Sequence, residues 1–272
     1  MDWPMDALEV LQETSRTFYI PISRLPPILQ KAVASAYLCM RAIDEIEDHG
    51  ELDSVTKGKL LRHISLSLQS GSSESDLAGL LAGFSPYQPL LAEVTLRVGE
   101  WAQLAPASIA PRIWDATAAM ADRMAYWAER NWRIDSELDL DQYTFSVAGA
   151  VGLLLSDLWA WYDGTQTNRV YALGFGRGLQ AVNIVRNYRD DLKRGVNFFP
   201  PGWAQEQMHS YARRNLVLAD AYTEALPEGP ALDFCRIPLA LAHATLDVLA
   251  AGHEKLSRVA VVELIEKVSS GA

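Results

Sequence analysis

"LQAVNIVRNYRDDLKRGVNFFP", Leu179 to Pro200, decides how this chain is read. Asn183, Asn187 and Asp191 recur every four residues. On an α-helix that spacing turns a side chain by about 400° and lines three oxygen-bearing groups along one face. Gln180, three positions before Asn183, falls close to that face, and Arg186, Lys193 and Arg194 bring cations into the same stretch. Two readings fit. A polar helix end would use Lys193 and Arg194 as dipole-favoured C-terminal cations and Gly195 as its stop. A site for a metal-bound diphosphate would offer the oxygens to a hard divalent ion and the basic groups to the phosphates. Both require a helix.

Outward from this stretch, helical periodicity runs through nearly the whole chain. No convincing period-2 alternation appears, nor an Asn-Gly or Asp-Gly turn between β-branched runs. Helices are predicted near 5–18, 25–48, 54–69, 87–104, 109–133, 139–163, 166–194, 204–226, 230–252 and 257–269. "PISRLPP", "GSSES", "FSPYQP", "APASIAP", "WYDGTQTN", "FFPPGW" and "LPEGP" mark the breaks. "YTFSVAGAVGLLLSDLWAW" and "RVYALGFGRGLQAVNIV" mix small residues with large apolar ones, the pattern of central bundle helices. Gly174, Gly176 and Gly178 follow no strand and lack dinucleotide-loop spacing, so they read as sites of close helix–helix approach. No repeat or long linker divides the chain. The expectation is one all-α domain over residues 1–272.

The charge balance narrows the function. A formal net charge of −10 and a pI near 5.0 argue against non-specific nucleic-acid binding. Cys39 and Cys235 both lie in apolar runs and make no disulfide framework, which suits a reducing cytoplasm. The start, "MDWPMDALEV", lacks a basic n-region and an apolar h-region. The longest apolar stretch, "VAGAVGLLLSDLWAW", is interrupted by Asp157 and is shorter than the roughly 20 residues of a spanning helix. The expectation is a protein with no transmembrane segment, soluble or at most peripheral to a membrane.

A second knot of charge follows the core-like run "AVASAYLCM". "RAIDEIEDHG", Arg41 to Gly50, holds Asp44, Glu45, Glu47 and Asp48. Asp44 and Asp48 stack at i, i+4, where like charges destabilise a helix by a few tenths of a kcal/mol unless a cation is shared. Alone this is most simply a solvated face. Beside the Asn183–Asp191 row it becomes a candidate second half of a metal site.

Five segments in order then resemble the squalene and phytoene synthase family of head-to-head prenyl diphosphate synthases. They are "SRTFY" at 15–19, "YLCMRAIDEIED" at 37–48, "YTFSVAGAVGLLLSDL" at 143–158, "LQAVNIVRNYRDDLKRGVNFFP", and "FCRIPLALAHATL" at 234–246, the last nearer to squalene synthases. The resemblance implies a single all-α isoprenoid-synthase bundle with acidic helix faces on opposite walls of a central cavity. It implies condensation of two prenyl diphosphates, commonly farnesyl diphosphate, through a cyclopropyl diphosphate to squalene or a related C30 product. By that resemblance Mg²⁺ falls to Asp44, Asp48, Asn183, Asn187 and Asp191, with Glu47 and Gln180 behind them. Ser15, Arg16, Arg41 and Arg186 would hold diphosphate. Tyr37 and Tyr143 would face the reacting carbons, either guiding proton removal or holding the departing diphosphate. Phe18, Val147, Ala148 and Phe234 would line the cavity; plain core packing is the alternative for each. "EKLSRVAV" at 254–261 is weakly similar to an NADPH-binding region, so Lys255 and Arg258 are candidates for the cofactor's phosphate, against a basic start to an amphipathic helix. A cytoplasmic enzyme with peripheral membrane contact for its apolar product follows.

This sequence departs from the family at Asn187, where the second motif usually begins with Asp. One formal charge is lost from a site for highly charged ligands. Three readings stay open: a head-to-head synthase with a modified metal site, a terpene cyclase or prenyl diphosphate lyase acting on another prenyl substrate, and a non-catalytic relative.

Overall fold

Helices account for the regular structure of this protein, a computed structural model describing residues 6–70 and 80–270; no strand occurs among the described residues. The chain forms two compact units, Met1–Asn131 and Trp132–Ala272. The predicted break at "GSSES" lies outside the described residues, as does the side chain of Arg16.

The first unit comprises α1 (Ala7–Thr14), α2 (Arg16–Ser23), α3 (Pro27–Glu47), α4 (Ser54–Ser70), a helical turn at 80–84, α5 (Glu93–Leu96), α6 (Val98–Gln103) and α7 (Ala110–Glu129). Pro27 opens α3 at the one helical position where its missing N–H costs nothing. The following run is buried on almost every side, from Leu29 and Ala32 through Leu38 and Cys39 to Ile43 and Ile46. Packing against α4, α5, α6 and α7 provides that cover. Two buried hydroxyls tie it to its neighbours: Ser35 Oγ of α3 donates to Trp101 O at 2.6 Å, and Thr95 Oγ1 of α5 donates to Ala42 O at 2.9 Å. Two predicted helices are broken. The 5–18 helix stops at Ser15, whose extended backbone (φ −156°, ψ 101°) lets its Oγ accept from Phe18 N and start α2 as an N-cap. The 87–104 helix shrinks to α5 and α6, which meet at Arg97 (φ −100°, ψ 14°). The Arg97 guanidinium binds Asp6, Glu93 and Glu100 and lies 4.2 Å from the Trp101 ring centre.

The second unit comprises α8 (Glu137–Thr144), a π-helical turn (Phe145–Gly149), α9 (Ala150–Asp163), α10 (Arg169–Lys193), α11 (Gln205–Glu224), α12 (Pro230–Ala250) and α13 (Arg258–Ser270). The long α10 packs on α8, the π turn, α9, α11 and α12. Asn168 Oδ1 caps its start by accepting from Val170 N and Tyr171 N, and Gly195 at φ 79° follows its end. The glycine expectation holds. A Cβ at Gly176 would strike the backbone of Ala148, and one at Gly152 the carbonyl of Ala172, while Gly174 and Gly178 face Leu218 and Leu216 of α11. Backbones therefore touch where side chains are missing.

Glu137–Asp163 is a continuous helical run of 27 residues, longer than the apolar stretch read from sequence; by length and composition it could cross a membrane, yet half its apolar window is buried inside the protein. Cys39 and Cys235 are free and buried, and burial pushes the Cys39 thiol up to about 12.

Candidate active site

In the first unit, the last turn of α3 brings Asp44, Glu47 and Asp48 together, with one carboxylate oxygen of each within 4.8 Å of the others. Glu47 is 5% exposed, so it joins the group directly, where the sequence placed it behind Asp44 and Asp48. Asp48 is the exposed C-cap residue, one step beyond the helix. Burial, then the Asp48 carboxylate, push Asp44 up to about 7, against the pull of Arg41. Arg41 donates from Nη1 to Asp44 Oδ2 at 2.6 Å and from Nη2 to Glu45, which is held there and not turned fully to solvent. The Arg41 Nε is buried with no hydrogen-bond partner among the described residues. Four residues back, Tyr37 is half-buried, its ring centre 5.8 Å from Phe18 and its hydroxyl in hydrogen-bonding reach of Ser15. Burial raises its phenol above the ordinary value. Ser15, Phe18, Tyr37, Arg41 and Asp44 thus form one polar-to-aromatic strip on α2 and α3.

Lys57 was missed. It is 7% exposed and its Nζ donates to Glu47 O at 2.7 Å, capping the end of α3 with a buried ammonium beside the acidic group. Nothing in "SVTKGKLL" singles it out.

In the second unit, Gln180, Asn183 and Asn187 are half-buried along α10 and Asp191 is 6% exposed. Arg186 Nε donates to Asn187 Oδ1 at 3.1 Å, and Arg194 donates to Asp191 Oδ1 at 2.7 Å. Lys193 pairs with the exposed Asp190 at 2.7 Å. The helix-end reading is therefore right about where α10 stops, and it leaves the oxygen row intact. Two aromatic pairs form in the same unit: Tyr143 stacks on Phe198 at 4.5 Å and Tyr188 on Phe199 at 4.2 Å. Val147 and Ala148 are half-buried in the π turn. Phe234 is 3% exposed and lies 5.5 Å from Trp159. Lys255 and Arg258 are exposed around the start of α13.

The acidic donors are oxygens only, with no His or Cys among them, and burial, with repulsion from Asp48 second, displaces Asp44. That set suits Mg²⁺, which prefers oxygen ligands and a few carboxylates.

Three comparisons place these observations. The profile of the squalene/phytoene synthase family matches residues 11–210, a span containing Asp44, Glu47, Asp48 and the whole α10 row but not Phe234, Lys255 or Arg258. The squalene synthase of Schizosaccharomyces pombe is 27% identical over 277 aligned positions, covering 88% of this chain and 58% of that protein. That of Eremothecium gossypii is 29% identical over 290 positions, covering 93% and 63%. The chain thus spans about three fifths of the length of these curated relatives. A solved structure of TcSQS with the ligand E5700 superposes with a TM-score of 0.75 at 20% identity, over 97% of this chain and 85% of that one, a likeness of fold.

Proposed function

Because the chain belongs to the squalene/phytoene synthase family, we propose that it joins two prenyl diphosphates head to head in a Mg²⁺-dependent reaction. Farnesyl diphosphate and a C30 product are the reading we favour. The observation that carries it is the close grouping of Asp44, Glu47 and Asp48 beside Arg41, with a second oxygen row on α10. In this reading Asp44, Glu47, Asp48, Asn183, Asn187 and Asp191 would hold the metal, with Gln180 behind them. The ion would supply positive charge that stabilises the departing diphosphate. Arg41, with its spare buried Nε, and Arg186 would bind phosphate oxygens, assisted by Ser15 and Arg16. Loss of diphosphate from one substrate leaves an allylic cation; the double bond of the other attacks it to give a tertiary cation, and loss of a proton from the newly bonded carbon to the released diphosphate closes a cyclopropyl diphosphate. In the same reading Tyr37 and Tyr143 would face the reacting carbons, and Phe18, Val147, Ala148 and Phe234 would line the space that excludes water, with aromatic faces available to the cation. Residues 1–272 act as one functional domain, both units being needed for turnover. An apolar product suits a cytoplasmic enzyme touching the membrane surface. Lys255 and Arg258, exposed around the start of α13, would be the candidates for the phosphate of NADPH, and no step is routed through that cofactor.

A second reading has a specific observation in its favour. Asn187 is neutral and its oxygen is engaged by Arg186, so the α10 row carries a single carboxylate, as a lyase or cyclase acting on one prenyl diphosphate would tolerate. Incubation with Mg²⁺ and farnesyl or geranylgeranyl diphosphate, with and without NADPH, followed by mass spectrometry, separates them. A C30 or C40 product supports condensation, a C15 or C20 hydrocarbon or alcohol supports the lyase, and unchanged substrate refutes both.

A further inference from the structure

We infer that Arg177, acting with Asp141, Thr144 and Tyr211, is a positioning residue that clamps the π turn Phe145–Gly149 and so sets the register between Tyr143 and the Val147–Ala148 wall. The functional part of this inference rests on the reaction proposed above; the structural part does not.

An arginine is out of place in "ALGFGRGLQAV", a run otherwise built for close packing. Its side chain is 16% exposed, and it reaches three other groups. The guanidinium pairs with Asp141 of α8, donates from Nη2 to Tyr211 Oη at 3.0 Å, and donates from Nε to Thr144 Oγ1 at 3.3 Å. Tyr211, 1% exposed on α11, donates its own proton to Asp141 Oδ1 at 2.9 Å and leaves its lone pairs to the guanidinium. Thr144, fully buried, lies 3.0 Å from the same hydroxyl. Three helices are thereby tied to one cation. A network of this kind adds little stability, since burying the charges costs about what their pairing returns, but it admits only one geometry.

That geometry brackets the π turn. Asp141 and Thr144 lie immediately before Phe145, at the entrance of the turn. At its exit, a Cβ on Gly149 would come within 3.1 Å of Arg177 Cγ and 3.5 Å of its Cδ, so the stem of the same arginine lies over Gly149. The head grips one end and the stem covers the other. Between them, Ser146 Oγ donates to Gln142 O at 2.6 Å, satisfying a carbonyl in the distorted ladder. A π turn carries one more residue than the α-helical turn it replaces, is intrinsically disfavoured, and recurs at functional sites. Relaxing it to α geometry rotates one flank against the other by about 100°. Tyr143, stacked on Phe198, lies on one flank, and Val147 and Ala148 lie in the turn itself.

Arg177→Met removes the head while keeping an apolar stem, Arg177→Lys keeps charge without the fork, and Gly149→Ala pushes on the stem alone. Hydrogen–deuterium exchange on full-length protein should show faster exchange of residues 145–149 in Arg177→Met and Gly149→Ala, with the rest of α9 protected as in wild type. With farnesyl diphosphate and Mg²⁺, KM should stay within about threefold while kcat falls about 100-fold, the cost of a small misplacement at a reacting centre. The product should shift from condensed hydrocarbon to the C15 alcohol formed when water reaches the cation, and Arg177→Lys should recover part of both. Unchanged exchange at 145–149 overturns the clamp, and unchanged kcat and product ratio despite faster exchange overturns its positioning role. Should Arg177→Met fail to fold, Tyr211→Phe, which deletes one hydroxyl of the network, carries the same outcomes. A wild-type protein that consumes no prenyl diphosphate refutes the proposed reaction, and the exchange experiment then still decides the clamp.

Discussion

Asp48→Asn tests the acidic group of α3 without any assay of turnover. One carboxylate oxygen of each of Asp44, Glu47 and Asp48 lies within 4.8 Å of the others. At such a separation two unit charges repel by about 3 kcal/mol at an effective dielectric near 20. Asp48 is exposed and Asp44 is 36% exposed, so solvent screening reduces the repulsions made by Asp48 to ~1 kcal/mol in total. The substitution keeps the shape and removes that repulsion, so metal-free protein should melt about 2–4 °C higher. Magnesium should stabilise the wild type by mass action and the variant far less. The pH dependence follows from Asp44, raised from 3.8 to about 7. The folded state keeps a proton that the unfolded state releases. Asp44's contribution to metal-free stability is therefore fully present below pH 3.8 and is lost as pH rises through about 7. The whole displacement corresponds to ~4 kcal/mol, and screening of a carboxyl 36% exposed leaves ~1–2 kcal/mol. Thermal unfolding followed by circular dichroism measures all three effects: the substitution and Mg²⁺ effects above Asp44's value, and the pH effect across the window from 3.8 to about 7. A wild-type midpoint indifferent to Mg²⁺, or a variant that melts below wild type without metal, would refute the reasoning.

Three further outcomes follow from the packing and the α10 row. Gly176→Ala should destabilise by ~2 kcal/mol, because its Cβ meets Ala148 C at 2.6 Å and Gly149 Cα at 3.0 Å, backbone atoms that cannot rotate aside; a higher melting temperature would contradict the close-approach account. Tyr222→Phe removes the hydroxyl shared by Ser156 and Trp159 Nε1, at 2.9 and 3.1 Å. The orphaned indole N–H should cost ~1–3 kcal/mol, read as a lower urea midpoint at unchanged slope. Asn187→Asp adds a charged oxygen to the α10 row, and the Mg²⁺ concentration for half-maximal turnover should fall; an unchanged or higher requirement would remove Asn187 from the metal site.

The two long helices that carry the oxygen rows could be read from residue order. The spacings of Asp44 with Asp48, and of Asn183 with Asn187 and Asp191, need nothing but the pitch of an α-helix to share a face. The small-residue pattern of α10 likewise announced close packing, which Gly152 and Gly176 bear out. Other features were invisible because they depend on partners far along the chain. The kink between α5 and α6 is held by Arg97 reaching Asp6, 91 residues away. Glu47 becomes a full member of the acidic group because the helix ends at that point, with Lys57 capping its carbonyl. The π turn leaves no mark in "YTFSVAG", since its extra residue is sustained by Arg177 and Tyr211 from two other helices.

Residue order alone therefore settled that this chain is helical, where its oxygen rows fall and which family it belongs to. Those properties repeat along the backbone every three or four residues and survive in any tertiary arrangement. Tertiary structure decided which carboxylates gather, which arginine is buried and where a helix departs from its regular pitch. Each of these balances a desolvation cost against a contact made by a distant segment, and no local pattern records that balance.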